Sequence, residues 1–484
     1  MLKALEVLKF IGIILEVLLI FNLVIIVHEL GHFLAARWRG AVVEEFGVWF
    51  GKPLWRKQFG GVWYSLGSIP AGGFVKLPQM APMETLEGES DIPKEKITPL
   101  RPLDKIIVAI AGPLFSFLLA ITLACLIWAV GKPTSQPDDT TEVGTVKKGW
   151  PAEVAGFQPG DKIIAIDGKH VATFSGPTNS VMWGIAGSKG DTIVFEIERD
   201  GQRKTLTAGF KKEKTEWWKR DSLRQIGISP RFVPEVGSVK PGSLAANAGL
   251  QPKDIVRTAN GQKIITIEQI EDVLKAAPTA PLALGIERPG STGLVSLTLP
   301  PIPPAGKEED DALIPGVEWG RIETKHPAPI RQVKDSLNAM RNMIGAVISK
   351  GGDVRVNQFS GPIGIMNVYR RILELPDGWK LALSFSVFFN VNLAIINMLP
   401  FPVLDGGHIT LALIESARRR PVNARVLEML QTACALLLMS FILYVTFFDV
   451  TDHFRKKKPA QAPNAEQPTI SAPGHAAATP TPAP

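Results

Sequence analysis

The sequence predicts a polytopic α-helical membrane protein with four transmembrane helices and two β-rich domains inserted between the second and third. Three observations carry this prediction. The hydrophobic fraction over 484 residues is 45%, ordinary for a globular chain, but the apolar residues are segregated into long runs near both ends. The middle of the chain is soluble in character and contains an internal repeat. The formal net charge of +7 could suit nucleic acid, yet the basic residues cluster beside the apolar runs (Arg37 and Arg39; Arg418, Arg419 and Arg420; Arg455 to Lys458). That is where cationic flanks of membrane spans belong, so a lipid bilayer is the expected partner and nucleic acid is not.

The first apolar run, from about Leu8 to Val27, continues without a breaker into HELGHFLAARW and defines a first span over 1–38. It is too long for a signal peptide, contains Glu16 and lacks a small-residue cleavage site. A polar loop over 39–104 leads to a second span, 105–131, with no charged residue from Ile106 to Val130, a length that crosses hydrocarbon. Two domains are expected over 135–213 and 222–304, then a connector with an amphipathic segment over 305–378. A third transmembrane segment, 379–416, runs through PFPVLDGGH, and a fourth span covers 426–449. The Pro/Ala-rich tail, 459–484, has no apolar period and reads as disordered. Cys125 and Cys434 both lie in apolar segments, which removes a disulfide framework and a cysteine-based metal site.

In the middle, AGFQPGDKIIAIDG from Ala155 to Gly168 aligns with AGLQPKDIVRTANG from Ala248 to Gly261. Each copy follows a strand-like Val-Gly segment, at Val143 and at Val236, and has small residues before Ala-Gly that read as a short helix. The repeated F/L-x-P-x-D pattern resembles tandem PDZ domains. That resemblance implies binding of an extended peptide ligand by strand addition; two inert β-rich spacers remain the alternative.

The chemistry sits at the end of the first span. His28 and His32 are four residues apart, so on a helix they share one face and can reach one metal. Glu29 is placed to take a proton from water activated by that metal, and Zn2+ is the expected cofactor. Ionisable side chains at the end of a membrane span are costly and imply function. A catalytic zinc takes three protein ligands and keeps a position open. Glu16 lies about 18 Å away along a helix and cannot ligate. Glu44 and Glu45 would serve a soluble-type metalloprotease with a membrane anchor, but nothing organises a helix around them. Asp405 is the candidate in an apolar setting: Pro400 and Pro402 break the helix, and Gly406 and Gly407 let the backbone turn close to the site. His408 is the runner-up. A membrane-anchored scaffold with a degenerate metal site is the non-enzymatic alternative.

With HELGH in span one, LDGG after span three and the paired repeats between, the chain resembles the site-2 proteases, specifically their bacterial branch of regulated intramembrane proteolysis, over about residues 20 to 450. The resemblance implies a zinc endopeptidase that cuts within transmembrane segments, with His28, His32 and Asp405 as zinc ligands and Glu29 as general base. IPAGGFVKL, from Ile69, resembles the family's membrane-associated β-hairpin, whose Gly72, Gly73 and Phe74 would contact substrate. FSGPIGI, from Phe359, matches a stretch that helps admit substrate, and Asn392 and Asn397 match intramembrane asparagines that handle it. Helix packing is the alternative role for those amides. Ser116 stands where relatives commonly place asparagine and receives no role. Glu16 is also unassigned; the bundle interior or a water path would suit it.

The implied substrates are single-span proteins, such as an anti-sigma factor or remnant signal peptides, already trimmed by another protease, with the PDZ pair as a size filter. The implied location is the bacterial inner membrane. Positive-inside counting puts the loops after spans one and three in the cytoplasm, hence the PDZ domains and both termini outside, although the Arg455–Lys458 cluster runs against that count.

Overall fold

The computed structural model describes residues 2–80, 98, 100–302, 313–320, 322–349, 352–420 and 422–453. The Arg455–Lys458 cluster and the tail from Pro459 lie outside the described residues. The chain forms two compact units: residues 1–132, 326–340 and 361–447, and residues 133–325, 341–360 and 448–484.

The first unit is mainly helical, with one four-stranded sheet. Its helices include α1 (Leu2–Trp38), α2 (Pro102–Val130), α3 (Gly378–Asn397) and α4 (Asp405–Arg418), with most of α5 (Ala424–His453). Four stretches are long and apolar enough to cross a membrane: Phe10–Trp38, Pro102–Val130, Gly378–Asn397 and Arg425–Thr451. The third is the least apolar, with mean hydropathy 1.5 against 2.9 for the first, because it carries Ser386, Asn390, Asn392 and Asn397. Pro102 opens α2 where an amide would have no helical partner. Gly131, at φ 79°, closes it and donates its amide to the Ile127 carbonyl.

Small residues let these helices meet closely, the usual solution where lipid gives no hydrophobic drive to association. A side chain on Gly31 of α1 would begin 2.3 Å from the Ala111 carbonyl oxygen of α2. The α3–α4 junction is equally tight. The ring nitrogens of Pro400 and Pro402 have no hydrogen to donate, so α3 stops at Asn397 and α4 restarts at Asp405. Side chains on Gly406 or Gly407 would begin 2.3 Å and 2.1 Å from the carbonyl oxygens of Leu399 and Phe401. Asp405 is thereby held at the first turn of a helix, where the backbone dipole favours an anion.

Between α1 and α2 lies a four-stranded sheet ordered β2-β3-β1-β4, built from β1 (Glu45–Phe50), β2 (Trp55–Phe59), β3 (Val62–Leu66) and β4 (Ile69–Lys76). The expected hairpin at Ile69 is instead an edge strand: β4 pairs antiparallel with β1, which pairs parallel with β3. Gly72, at φ 87°, accommodates the Phe50 ring where a side chain would begin. Phe50 and Phe74 stack with ring centroids 5.8 Å apart.

The second unit contains two β-rich domains with separate cores, one around Ile163, Ile193, Phe195 and Ile197, the other around Val256, Leu282, Leu284 and Ile286. Each has one four-stranded antiparallel sheet. Lys162–Ile166, Lys169–His170, Ile193–Arg199 and Gln202–Ala208 form the first; Ile255–Ala259, Gln262–Lys263, Leu282–Glu287 and Leu294–Leu299 form the second. The repeated aspartate locks both. Asp161, 1% exposed, accepts the Gln158 amide and two hydrogen bonds from Arg199 at 2.6 and 2.7 Å. Asp254, 0% exposed, accepts the Gln251 amide and two from Arg288 at 2.8 and 2.7 Å.

Strand pairing reaches past the boundaries drawn from sequence. Ile228–Pro230, inside the expected second domain, pairs with Val143–Val146 of the first. Val317–Trp319, inside the expected connector, pairs with Val236–Val239 of the second. The connector also forms the helices Pro329–Ile348 and Pro362–Leu373.

Candidate metal centre

On α1 the four-residue spacing puts both imidazoles on the face turned toward α2, where His28 is 8% and His32 9% exposed. The helix break ahead of α4 delivers Asp405 to the same point. His28 Nε2 is 3.3 Å from His32 Nε2 and 3.2 Å from Asp405 Oδ2; His32 Nε2 is 3.3 Å from Asp405 Oδ1. Among the described residues, this trio is the group of His, Cys, Asp or Glu side chains placed to hold a metal ion.

Those separations carry chemical information. Donors about 2.0–2.1 Å from a tetrahedral zinc lie roughly 3.3 Å from one another. The ring protons point the same way. His32 Nδ1 lies 2.8 Å from the Val108 carbonyl, which can only accept, so Nδ1 carries a hydrogen and the neutral ring presents the Nε2 lone pair to a metal. His28 Nδ1 is held by Ser116 Oγ at 3.0 Å. Two imidazole nitrogens and a carboxylate at this range are placed to hold one cation in common. The donor set fits zinc, with an outer ring of hydrogen bonds fixing each imidazole.

Glu29, half-buried, follows His28 on α1. The strand β4 passes beside it: a side chain on Gly73 would begin 3.4 Å from Glu29 Cγ and 3.1 Å from Ile25. Gly73 thus brings a strand edge against the carboxylate that precedes the second ligand. Asn397 reaches the centre, with Nδ2 3.4 Å from His28 Nε2. Asn392 does not share that contact; its amide donates to the Phe388 carbonyl of its own helix. Gly72 and Phe74, on either side of Gly73 in β4, lie with Phe50.

Other candidates lie elsewhere. Glu16 is on an exposed face of α1, which removes the bundle interior as its setting. Glu44 pairs with Lys76 at 3.6 Å and Glu45 with Arg56 at 2.8 Å. His408 is not part of the ligating trio.

Three contributors on α2 escaped the sequence reading: Ser116, the Val108 carbonyl and Gly112. A side chain on Gly112 would begin 2.1 Å from His32 Nε2, so this glycine makes room for the ring. The small residues Gly112 and Ser116, four apart in AGPLFS, are the signal that two of them leave, and it acquires meaning once α2 is known to pack on α1.

Over residues 16–441 the chain matches peptidase family M50. It is 31% identical over 447 residues to the regulator of sigma-E protease RseP of Escherichia coli K12, covering 88% of this chain and 96% of that one. A Vibrio cholerae protein named as a zinc metalloprotease is 30% identical over 458 residues, 89% of this chain and 96% of its own. A regulator of sigma E protease from Salmonella typhimurium LT2 is 31% identical over 446 residues, with 88% and 96% covered. These relatives are bacterial, and with four apolar helices the chain is a bacterial inner-membrane protein. The chain belongs to peptidase family M50, the site-2 proteases, and is a zinc metalloprotease of regulated intramembrane proteolysis.

Proposed function

We propose that His28, His32 and Asp405 hold the zinc, that Glu29 is the general base, and that the enzyme hydrolyses peptide bonds inside the transmembrane segments of single-span proteins. The observation that carries this reading is the convergence of two imidazole nitrogens and a carboxylate at 3.2–3.3 Å, assembled from helices nearly four hundred residues apart in sequence. Zinc, when bound, supplies Lewis acidity to the water nucleophile and the scissile carbonyl.

The protein's own groups do the rest. Glu29 takes the proton of the attacking water and delivers it to the departing amine nitrogen. A membrane helix satisfies its peptide groups internally, so a bond can be cut only after local unwinding with replacement hydrogen bonds. The outer edge of β4 supplies them: Gly73 lets that edge run beside Glu29, and an opened substrate strand adds to it from Gly72 to Phe74. Asn397, 3.4 Å from His28 Nε2, is close enough to donate its amide to a substrate carbonyl. Asn392, bonded within its own helix, steadies α3.

The two β-rich domains are read as PDZ domains that take a peptide strand and screen out substrates with bulky outer domains. They and both termini lie on the periplasmic side. The substrates are an anti-sigma factor or remnant signal peptides, trimmed first by another protease. The test is Glu29→Gln in the full-length protein in lipid nanodiscs, with a single-span reporter. The variant keeps its zinc and loses cleavage; full cleavage by that variant refutes the assignment.

A further inference from the structure

Between the two β-rich domains the chain reads KKEKTEWWKR from Lys211 to Arg220. Residues 211–219 are exposed, and Trp217 and Trp218 show 81% and 39% of their surface. Their rings meet edge to face, centroids 5.5 Å apart. Adjacent indoles presented outward form an apolar patch that a surface facing only water has no reason to keep.

The loop is pinned at a definite place. Arg220, 6% exposed, donates to the carbonyls of Gln358 and Phe359 at 3.2 and 3.1 Å and to the Asp449 carboxylate at 2.5 Å. The Thr451 hydroxyl shares its hydrogen between the Phe448 carbonyl of its own helix at 2.9 Å and the Trp218 carbonyl at 3.2 Å. The Gln358 amide donates to the Asp221 carbonyl at 2.8 Å. Asp449 and Thr451 form the final turn of the apolar stretch Arg425–Thr451, and all of these residues belong to the second unit. The tryptophans are therefore tied, through the backbone of Trp218 itself, to the end of the apolar stretch of α5, where a spanning helix would leave hydrocarbon.

That is the depth at which indole is most at home, its rings against acyl chains and its N–H among headgroups. Lysine completes the chemistry, because its apolar stem lies along the interface while the ammonium reaches phosphate. Lys214 is exposed, and Lys219 sits 6.0 Å from the Trp218 ring centre while pairing with Glu216 at 2.9 Å.

We propose that the Lys211–Lys219 loop is a lipid-docking surface. Trp217 and Trp218 seat in the headgroup layer of the leaflet at which α5 ends, and Lys214 and Lys219 face anionic phospholipid. The docking ties the linker between the two β-rich domains to the membrane surface. It rests on α5 spanning the bilayer and is independent of the metal centre.

The test uses full-length protein with Cys125 and Cys434 replaced by alanine and an environment-sensitive fluorophore on Thr215→Cys, which keeps both tryptophans. A second preparation carries the probe at Gln202→Cys, on an exposed hairpin of the first β-rich domain. Both are reconstituted into vesicles of phosphatidylethanolamine and phosphatidylglycerol, with and without lipid brominated near the headgroup. The position 215 probe shows blue-shifted emission that brominated lipid quenches and aqueous iodide reaches weakly. Trp217→Ser with Trp218→Ser reverses that pattern while the position 202 probe is unchanged. A position 215 probe that is insensitive to brominated lipid and as iodide-accessible as position 202 overturns the proposal. So does shielding that develops only when a single-span substrate is co-reconstituted, which makes the patch a protein dock.

Discussion

Replacing Gly112 by alanine tests the metal centre without replacing any ligand. The added carbon would begin 2.1 Å from His32 Nε2 and 2.5 Å from Cε1. An ordinary contact needs roughly 3.4 Å, so the ring must retreat by about 1.3 Å. It is not free to do so smoothly, because the Val108 carbonyl holds Nδ1 at 2.8 Å. Metal–nitrogen bonds tolerate shifts of about 0.2 Å, and disturbing even the outer partners of a zinc ligand costs 10–100-fold in affinity. Loss of His32 from the site therefore lowers zinc affinity by about 100-fold or more, roughly 2.8 kcal/mol. The assay is zinc content and chelator competition on purified protein, with reporter cleavage alongside. Gly12→Ala, on the same α1 and with nothing within 4 Å of the added carbon, is the control. Wild-type zinc affinity in Gly112→Ala refutes the placement of His32 against α2.

Two further substitutions act on the partner of His28 and on the second β-rich domain. Ser116→Ala removes the partner of His28 Nδ1 at 3.0 Å and lowers zinc affinity by about 10-fold or more; unchanged chelator competition would remove Ser116 from the centre. Asp254→Ala removes the acceptor of two Arg288 hydrogen bonds and of the Gln251 amide, and destabilises the second β-rich domain by about 2 kcal/mol. Limited proteolysis of the full chain should then cut within residues 236–299 at lower denaturant, while zinc content is unaffected. Equal protease resistance in the two proteins would contradict that.

The legible parts of this molecule are those that depend on short-range periodicity. The pairing of His28 with His32 follows from helical spacing alone. Asp405 could be read from the prolines that end one helix and the glycines that let the next begin against Leu399 and Phe401. The paired repeats announced two similar β-rich domains. What could not be read depends on which element lies against which. Ser116, Val108 and Gly112 become part of the centre only because α2 packs along α1. The four-stranded sheet around β4 needs a parallel β1–β3 pairing across β2, so the same glycines read as a hairpin. Ile228–Pro230 crosses back to the first β-rich domain, a long-range pairing with no local signature. Arg199 and Arg288 carry no motif either, although the buried carboxylates they serve lie in the most regular part of the repeat.

The most direct measurement is zinc X-ray absorption on the purified full-length protein and on Asp405→Ala. The wild-type spectrum should show nitrogen and oxygen at about 2.0–2.1 Å from zinc, with two imidazoles, and Asp405→Ala should lose an oxygen scatterer. Zinc held with an identical shell in Asp405→Ala would show that the carboxylate is not a ligand and that the centre is built otherwise.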